Sequence, residues 1–295
     1  MGIMALGLNV CSYNRIRKIV LLRVLFFWYF IVGIKKVCYH SMVYMIRRIY
    51  MHRFFVDGVN TQGKNIIITD GDVNHIKNVL RLRCGERILV SDGNGMDYQC
   101  SISDISDDMV VAQIEDVFRN AAELTTRITL FQGMPKSDKL ELIIQKAVEL
   151  GVYEIVPVMT KRSVVKIDDK KASKKIERYN GIAESAGKQS GRGIIPQVKN
   201  FMTFKQAIEY AKSLDTNIIP YEEAEGLDYS RQVIKDIKGK KSLGIFIGPE
   251  GGFAKEEVDM ATGMGAKCIT LGNRILRTET AGLAVLSIIM FEIDE

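Results

Sequence analysis

The chain has 295 residues, 47% of them hydrophobic, which is enough for two domains with buried cores. Its net charge of +6 comes from residues 1–50, which hold eight lysines and arginines and no acidic residue; residues 51–295 hold 33 basic and 35 acidic residues. Bulk charge therefore gives no argument for nucleic-acid binding. Five scattered cysteines and three histidines argue against a disulfide framework and a Cys/His metal site, so we expect no metal.

Residues 1–50 contain one long apolar segment. Residues 19–34 read IVLLRVLFFWYFIVGI, sixteen residues interrupted by Arg23. A membrane-spanning helix needs about 20 apolar residues, and no A-x-A-like cleavage site follows this segment. We therefore expect translation to begin at Met51, so that residues 1–50 result from a misassigned start. A membrane anchor is the alternative, and mass spectrometry of the native N-terminus distinguishes the two.

Residues 51–120 are predicted to form a small β domain. Runs of β-branched residues alternate there with turn residues. The predicted strands are Asn65–Thr69, Arg87–Ser91, Asp97–Ser103 and Met109–Val117. The residues Asp92-Gly93-Asn94-Gly95 are typical of a hairpin turn, and a short helix is predicted from Val73 to Leu80. The pattern indicates a compact, barrel-like module.

After a linker at Arg119–Thr126, strands alternate with helices up to residue 295, which predicts an α/β domain. Residues 127–134 form a predicted buried strand, and a helix follows from Asp138 to Leu150, closed by Gly151. The next predicted strand is Glu154–Val158. Just past its carboxyl end, where ligands bind in open α/β sheets, come Thr160, Lys161, Arg162 and Ser163.

Two basic segments follow. Residues 168–188 are predicted as a helix whose lysines form a solvated face. The segment G-K-Q-S-G-R-G is broken by glycines, and its Lys188, Gln189 and Arg192 are suited to contacts with a phosphate backbone. Beyond it, we predict a strand at Asn217–Tyr221 and a helix at Tyr229–Ile237.

Two glycine-broken loops organise the last fifty residues. An apolar run, Leu243–Ile247, ends in GPEGG, and a second run, Cys268–Leu271, ends in Gly272-Asn273. A long helix is predicted from Arg277 to Phe291. Loops at the carboxyl ends of two parallel strands predict a ligand site at that edge of the sheet. Neither loop has the pattern of a phosphate-binding or dinucleotide-binding loop, which favours a ligand without phosphates.

The segments IFIGPEGGF and LGNRILRTETA resemble the two cofactor loops of SPOUT methyltransferases, and more closely those of the ribosomal RNA small subunit methyltransferase E family. The resemblance covers Met51–Glu295. Two positions depart from the family pattern: Asn273 replaces a frequent proline, and Ala254 replaces a helix-capping serine or threonine, so the capping box is missing. Further blocks that match in order are HIKNVLRLRCGERI, QGMPKSDKLELIIQKAVELGV, IVPVMTKRSVV and AGKQSGR.

This resemblance implies an α/β protein with a C-terminal trefoil-knotted SPOUT methyltransferase domain, residues 123–295. A PUA-like RNA-binding β-barrel, residues 51–120, would precede it. It also implies S-adenosyl-L-methionine as the cofactor and N3 of a uridine in the 16S rRNA of the small ribosomal subunit as the methyl acceptor. A cytoplasmic homodimer is implied as well.

The resemblance also assigns roles to individual residues. Arg277 is expected to stabilise the uracil anion, and Glu279 or Glu250 is expected to orient the base or accept its proton. The alternative for Glu279 is an ion pair with Arg277 or a favourable charge at the helix N-terminus. The expected cofactor-binding residues are Thr160, Ile247, Gly248, Pro249, Glu250, Gly251, Gly252, Leu271, Gly272, Asn273, Ile275 and Leu276. The expected RNA-binding residues are Arg53, His75, Lys77, Arg81, Arg162, Lys188, Gln189 and Arg192.

Two other interpretations remain. A non-catalytic RNA-binding or ribosome-assembly protein of the same fold would keep the β module and lose the chemistry, and cofactor binding measured by calorimetry would distinguish it. A nucleotide-dependent α/β enzyme of another class would need a phosphate loop, which the sequence lacks.

Overall fold

The computed structural model describes residues 51–56, 61–69, 71–163, 169–222 and 224–293. The chain divides into two compact units, Met1–Met51 and His52–Glu295, and the account below concerns the second. The apolar segment 19–34 and the expectations placed on residues 1–50 lie outside the described residues. Among the residues that are described, no helix has the length and apolar character needed to span a membrane.

The first part of the unit is a six-stranded sheet in the order β1-β4-β5-β6-β3-β2. Its strands are β1 (His52–Phe55), β2 (Thr61–Gln62), β3 (Asn65–Thr69), β4 (Arg87–Ser91), β5 (Met96–Ile105) and β6 (Met109–Arg119). All neighbours pair antiparallel except β1 and β4. A short helix α1, Gly71–Asn74, continues into a π-helical turn, His75–Val79. β1 and β2 do not pair among the described residues, so the barrel-like module that was predicted is a half-barrel.

Alternating side chains give the half-barrel its own core. In β3, Ile66 and Ile68 are buried and their neighbours are not, as expected for a strand with one covered face. They pack with Ile88, Val90 and Ile102 from β4 and β5. The helix predicted at Val73–Leu80 matches α1 and the π turn in position, and its Val73 and Ile76 close the core from one side.

The second part is a parallel seven-stranded sheet in the order β10-β8-β7-β12-β11-β13, with β9 also paired to β8. Its strands are β7 (Arg127–Gly133), β8 (Glu154–Met159), β9 (Gln197–Val198), β10 (Met202–Thr203), β11 (Thr216–Pro220), β12 (Ser242–Ile247) and β13 (Lys267–Ile269). Its helices are α2 (Lys139–Glu149), α3 (Asp169–Ser190), α4 (Phe204–Ala211), α5 (Leu227–Lys235), α6 (Lys255–Gly263) and α7 (Thr278–Ile293). The predicted alternation of strands and helices is confirmed.

Helices cover both faces of the parallel sheet, as expected for continuous apolar strands. On one face, Leu130 and Ile245 pack against α2, α3, α5 and α7. On the other face, Phe131 and Phe246 pack against α4 and α6, with their rings stacked at a centroid distance of 4.5 Å. Adjacent residues of one strand therefore serve opposite cores, and the sheet is held rigidly between two helical layers.

Helix α6 begins with half of a capping box. Ala254 has no side-chain oxygen to cap the helix, but the Glu257 carboxylate accepts a hydrogen bond from the Ala254 backbone N–H at 2.9 Å. The other Glu257 oxygen accepts from the backbone N–H of Lys161 at 2.8 Å. Of the capping box predicted to be missing, only the hydrogen bond to a serine or threonine hydroxyl is therefore lost. Glu257 also links the loop after β8 to the start of α6.

The two sheets meet at the amino edge of the parallel sheet. Asn120 donates from its side chain to Asp97 at 2.9 Å and to the Gly191 carbonyl at 3.1 Å. The Gly95 N–H donates to the Gly193 carbonyl at 3.3 Å. Residues 191–194 directly precede β9, which pairs with the first residues of β8. The half-barrel is therefore fixed at the edge of the sheet opposite to the carboxyl ends of the strands.

Candidate functional site

The carboxyl ends of β12, β11 and β13 form a cleft with two connected hollows. We call the part of about 540 Å³ the first hollow and the part of about 500 Å³ the second hollow. Residues that line the first are Lys139, Arg162, Ile247, Gly248, Pro249, Glu250, Gly251, Gly252, Phe253, Arg277 and Thr278. Residues that line the second are Ala224, Gly226, Leu227, Thr270, Leu271, Gly272, Asn273 and Arg274. Both are lined by Pro220, Tyr221, Glu222, Ile275, Leu276 and Ala281.

The first glycine loop, residues 248–252, is folded tightly against β7. The Gly252 N–H donates to the Pro249 carbonyl at 2.9 Å, and Gly252 has a φ of +66°, which a residue with a side chain rarely adopts. A methyl group added at Gly248 would lie 3.1 Å from the Gly252 backbone carbon. Glycine at these positions lets the loop close on itself and leaves its backbone open to the cleft.

Gly133 at the end of β7 is also needed for this packing. A methyl group there would lie 2.7 Å from Pro249 Cδ and 2.8 Å from Pro249 N, which forces the loop to move. We expect Gly133→Ala to lower the free energy of unfolding by about 1–3 kcal/mol, as for other overpacked sites, and to weaken ligand binding in the cleft. Urea unfolding and calorimetry measure the two effects.

Gly181→Ala is the matched control, because a methyl group in the middle of α3 meets no atom within 4 Å. It should raise stability by roughly 0.8–1 kcal/mol through helix propensity and leave ligand binding unchanged. Equal ligand affinity in Gly133→Ala and Gly181→Ala would show that the Pro249 contact does not shape the site.

Three separate segments hold the first loop in place. The Thr278 hydroxyl donates to the Gly248 carbonyl at 2.6 Å and accepts from the buried Gln132 side chain at 2.9 Å. The Arg162 guanidinium donates to the Gly251 carbonyl at 2.8 Å. The backbone N–H of Lys136 donates to the Glu250 carboxylate at 3.1 Å. The loop is thus pre-organised by contacts that leave its inner face free.

Lys139 links two carboxylates at the edge of the first hollow. Its ammonium lies 3.1 Å from a Glu250 oxygen and 3.5 Å from a Glu279 oxygen. The hydrogen bond with Glu250 raises the pKa of Lys139. Partial burial by itself raises the pKa of Glu250, but hydrogen bonds from its own backbone N–H, Lys139 and Lys136 outweigh burial and the net shift is downward. Glu250 is therefore ionised at neutral pH, and Lys139 keeps its proton.

Glu279 and Arg277 differ in their surroundings. Oε2 of Glu279 is buried and has no hydrogen bond among the described residues, the Lys139 ammonium at 3.5 Å being its ionic neighbour. Arg277 is exposed and lines the first hollow, and its side chain makes no hydrogen bond or ion pair with any residue described. Because Glu279 faces Lys139, the simple Glu279–Arg277 pair weighed above is not formed, and the guanidinium is available to a ligand.

The second glycine loop is shaped by two hydroxyl groups. The Ser230 hydroxyl accepts from the Thr270 N–H at 2.9 Å, and the Thr270 hydroxyl accepts from the Gly272 N–H at 3.2 Å. Gly272 has a φ of +104°, which requires glycine. Downstream, Ile275 is 94% exposed at the mouth of both hollows. This loop therefore presents an apolar side chain and open backbone to the cleft.

The structure brings together eleven of the twelve expected cofactor-binding residues, which all line one hollow or both. The exception is Thr160, which is buried and bonded to the Ser163 side chain at 2.8 Å. Arg162, expected to contact RNA, lines the first hollow. Sequence reasoning missed Lys139, Tyr221 and Glu222. Tyr221 ends a predicted strand and Glu222 follows it, and their place at the same sheet edge was the signal that could have found them.

Two of the arginines expected to bind RNA form ion pairs and hydrogen bonds within the protein. Arg192 is 2% exposed, forms a two-pronged ion pair with Glu123, and donates to the carbonyls of Val148 and Val152. Arg53 is mostly buried and pairs with Asp97 at 2.8 Å. The RNA-contact predictions for Arg192 and Arg53 are therefore disfavoured, because protein acceptors already occupy most N–H groups of both guanidinium groups.

The remaining expected RNA-binding residues are exposed. His75 and Lys77 lie on the π turn, Arg81 follows it with a φ of +54°, and Lys77 pairs with Asp107. Lys188 and Gln189 lie in the last turn of α3 and not in a loop, because the helix continues to Ser190. Lys188 is 6.0 Å from the Phe55 ring, so α3 brings it to the half-barrel.

Comparison with known proteins identifies the family. Residues 122–290 match the RNA methyltransferase domain model, and residues 68–115 match the RNA methyltransferase PUA domain model. The chain is 36% identical over 250 residues to ribosomal RNA small subunit methyltransferase E of Bacillus subtilis, covering 83% of this chain and 98% of that protein. The chain belongs to the ribosomal RNA small subunit methyltransferase E family. The expectation drawn from the glycine loops is thereby confirmed at the level of the family.

Other members of the family agree. The chain is 32% identical to the Mesomycoplasma hyopneumoniae enzyme, over 80% of this chain and 98% of that one. A crystal structure of the Neisseria gonorrhoeae family member bound to S-adenosyl methionine superimposes with a TM-score of 0.70 at 32% identity, covering 82% of this chain and 98% of that chain. No group of three or more potential metal ligands occurs among the residues described here.

Proposed function

We propose that this chain is an S-adenosyl-L-methionine-dependent methyltransferase that methylates N3 of a uridine in the 16S rRNA of the small ribosomal subunit. The observation that carries the proposal is the Arg277 guanidinium, which has no partner in the described part of the chain and lines a cleft built from two glycine loops. Support comes from the family membership and from the Neisseria gonorrhoeae relative, which was crystallised with S-adenosyl methionine.

The residues present fit this cofactor. The glycines of the two loops have no Cβ atoms that would keep a flat ligand from the backbone. Hollows of about 540 and 500 Å³ are within the usual size of ligand sites. Leu271, Leu276 and Ala281 provide an apolar slot, suited to an adenine ring. Glu250 and Glu279 give the other end an acidic character, suited to a cationic ligand. When bound, the cofactor supplies an electrophilic methyl group on a sulfonium.

The charged side chains suit the activation of uracil. N3 of uracil carries a proton at neutral pH and becomes nucleophilic when it is lost. The Arg277 guanidinium stabilises the negative charge that then develops on the flanking carbonyl oxygens. Oε2 of Glu279, which accepts no hydrogen bond among the described residues, is suited to accept the proton or to orient the base. Lys139, which lines the first hollow, lies 3.5 Å from this carboxylate.

The proposal also includes a cytoplasmic homodimer whose C-terminal domain, residues 123–295, contains a trefoil knot, with residues 51–120 as the RNA-binding domain. An apolar surface on α2 and α7 supports dimerisation. Phe291 is 85% exposed, Leu142 is 46% exposed and Ile288 is 44% exposed. Large exposed apolar side chains on neighbouring helices are typical of a protein interface.

Charge introduced on this surface is expected to separate the subunits. In the double variant Ile288→Glu with Phe291→Glu, carboxylates would be desolvated at the interface, so we expect monomers where the unmodified protein is dimeric. Sedimentation velocity measures the change. Val117→Glu is the control, since Val117 is 46% exposed on β6 of the other sheet and should leave the dimer intact. A dimer that persists in the double variant would place the interface elsewhere.

The proposed reaction is tested by mapping modified uridines in 16S rRNA from a strain that lacks the gene. We expect one 3-methyluridine to disappear and to return when residues 51–295 are expressed. Unchanged modification in the deletion strain would refute the proposed activity. If, in addition, calorimetry showed no S-adenosylmethionine binding, a non-catalytic RNA-binding role would replace it.

A further inference from the structure

The loop after β11 lies between the two glycine loops. In the parallel sheet β11 pairs with β12 on one side and with β13 on the other. The two glycine loops follow β12 and β13, so the residues after Pro220 emerge between them at the carboxyl edge. The Tyr221 N–H donates to the Ile269 carbonyl at 2.9 Å, and the Ala224 N–H donates to the Tyr221 carbonyl at 3.3 Å, which holds this segment as a turn.

The two hollows on either side of this turn differ chemically. Charged side chains that line the first hollow alone are Lys139, Glu250, Arg162 and Arg277. The second hollow is lined mainly by apolar groups, among them Leu227 and Leu271, with Arg274 at its edge. A ligand with an apolar end and a charged end would therefore place its middle where the hollows meet.

Glu222 is the acidic residue that lines both hollows. It is exposed to the cleft and forms no hydrogen bond or ion pair with any residue that the structure describes. A carboxylate has two oxygens that accept hydrogen bonds and is suited to a pair of neighbouring donors. The position therefore offers a bidentate acceptor at the boundary between the apolar and the charged half of the cleft.

We propose that Glu222 binds the two ribose hydroxyls of the adenosyl group and selects ribose over deoxyribose. This inference rests on the proposed cofactor. In S-adenosylmethionine the ribose connects the adenine ring to the sulfonium, so a molecule with adenine in the second hollow and its charged end in the first brings the hydroxyls to Glu222. Hydrogen bonds to a charged acceptor are stronger than those between neutral groups.

Calorimetry with cofactor analogues tests the assignment without relying on turnover. S-adenosylhomocysteine and its 2′-deoxy analogue are titrated into the unmodified protein, Glu222→Ala and Glu225→Ala. We expect the unmodified protein and Glu225→Ala to bind the ribose form about 10- to 100-fold more tightly, as for hydrogen bonds to a charged group. Glu222→Ala should bind both forms with the weaker affinity. Glu225 is the matched control, because it is an exposed glutamate three residues after Glu222 and lines neither hollow.

Other outcomes would overturn the assignment. Discrimination between the two sugars that persists in Glu222→Ala removes Glu222 from ribose recognition. If Glu222→Ala weakens S-adenosylhomocysteine but not 5′-methylthioadenosine, which lacks the amino acid, the carboxylate binds the ammonium instead. Absence of binding to the unmodified protein would refute the proposed cofactor itself, which is a different failure from loss of this contact.

Discussion

Arg277→Ala is expected to lower kcat for methylation by about 100- to 1,000-fold, the range seen when one group that stabilises a developing anion is removed. The guanidinium is exposed, lines the first hollow and is not engaged by a described protein acceptor, so its charge remains available for the substrate. The two glycine loops do not depend on it for their shape, since Thr278, Arg162 and Lys136 hold the first loop. Cofactor affinity should therefore change by only a few-fold.

Two further variants sharpen this test. Arg277→Lys keeps the charge but loses the planar fork, and we expect an intermediate kcat. Arg274→Ala removes a second exposed arginine from the same loop, which lines only the second hollow, and its kcat should stay close to that of the unmodified protein. Single-turnover methylation and calorimetric binding are the measurements. Equal losses in Arg274→Ala and Arg277→Ala would mean that the loop contributes general positive charge and that Arg277 has no specific role.

Arg192→Ala is expected to lower the free energy of unfolding by about 3–5 kcal/mol, as for other buried ion pairs that lose one partner. The Arg192 side chain is 3% exposed and that of Glu123 is 14% exposed. Removal of the guanidinium would leave the Glu123 carboxylate with only the backbone N–H groups of Gly193 and Ile194 as donors. It would also remove one donor from each of the carbonyls of Val148 and Val152. For a unit of this size the melting temperature should fall by about 10 °C.

The control for this variant is Arg178→Ala. Arg178 also pairs with a glutamate, Glu141, at 2.9 Å, but its side chain is 67% exposed. An exposed pair contributes roughly 0–1 kcal/mol, because water competes for both charges. Urea unfolding followed by circular dichroism compares the two. Similar losses from Arg178→Ala and Arg192→Ala would show that burial of the Arg192–Glu123 pair does not matter for stability.

Local sequence patterns were sufficient to predict most helices and strands. They did not predict whether a given charged side chain pairs inside the protein or faces solvent. The strands at Asn65–Thr69 and Arg87–Ser91 were predicted with the bounds that the structure shows, because their β-branched runs end at turn residues. Arg192 could not be interpreted this way. Its partner Glu123 is 69 positions away in the sequence, and the neighbouring Lys188 and Gln189 are exposed in the same segment.

In the cleft, too, some residues could be predicted from the sequence and others could not. Its glycine loops were predictable, since backbone geometry requires glycine at Gly252 and Gly272. Lys139 was not, because its ammonium meets Glu250 and Glu279 only after three distant segments come together. Glu222 follows a strand without any glycine motif, and only the order of strands in the sheet places it between the two loops.

The half-barrel is attached at the amino edge of the parallel sheet, and the cleft lies at the opposite, carboxyl edge. Hydrogen bonds from Asn120 and Gly95 to residues 191–193 hold the half-barrel at the amino edge. Strand β7 has seven residues, and a rise of ~3.3 Å per residue separates the amino and carboxyl edges of the sheet by roughly 20 Å. An RNA that contacted both the half-barrel and the cleft of one subunit would have to span that distance.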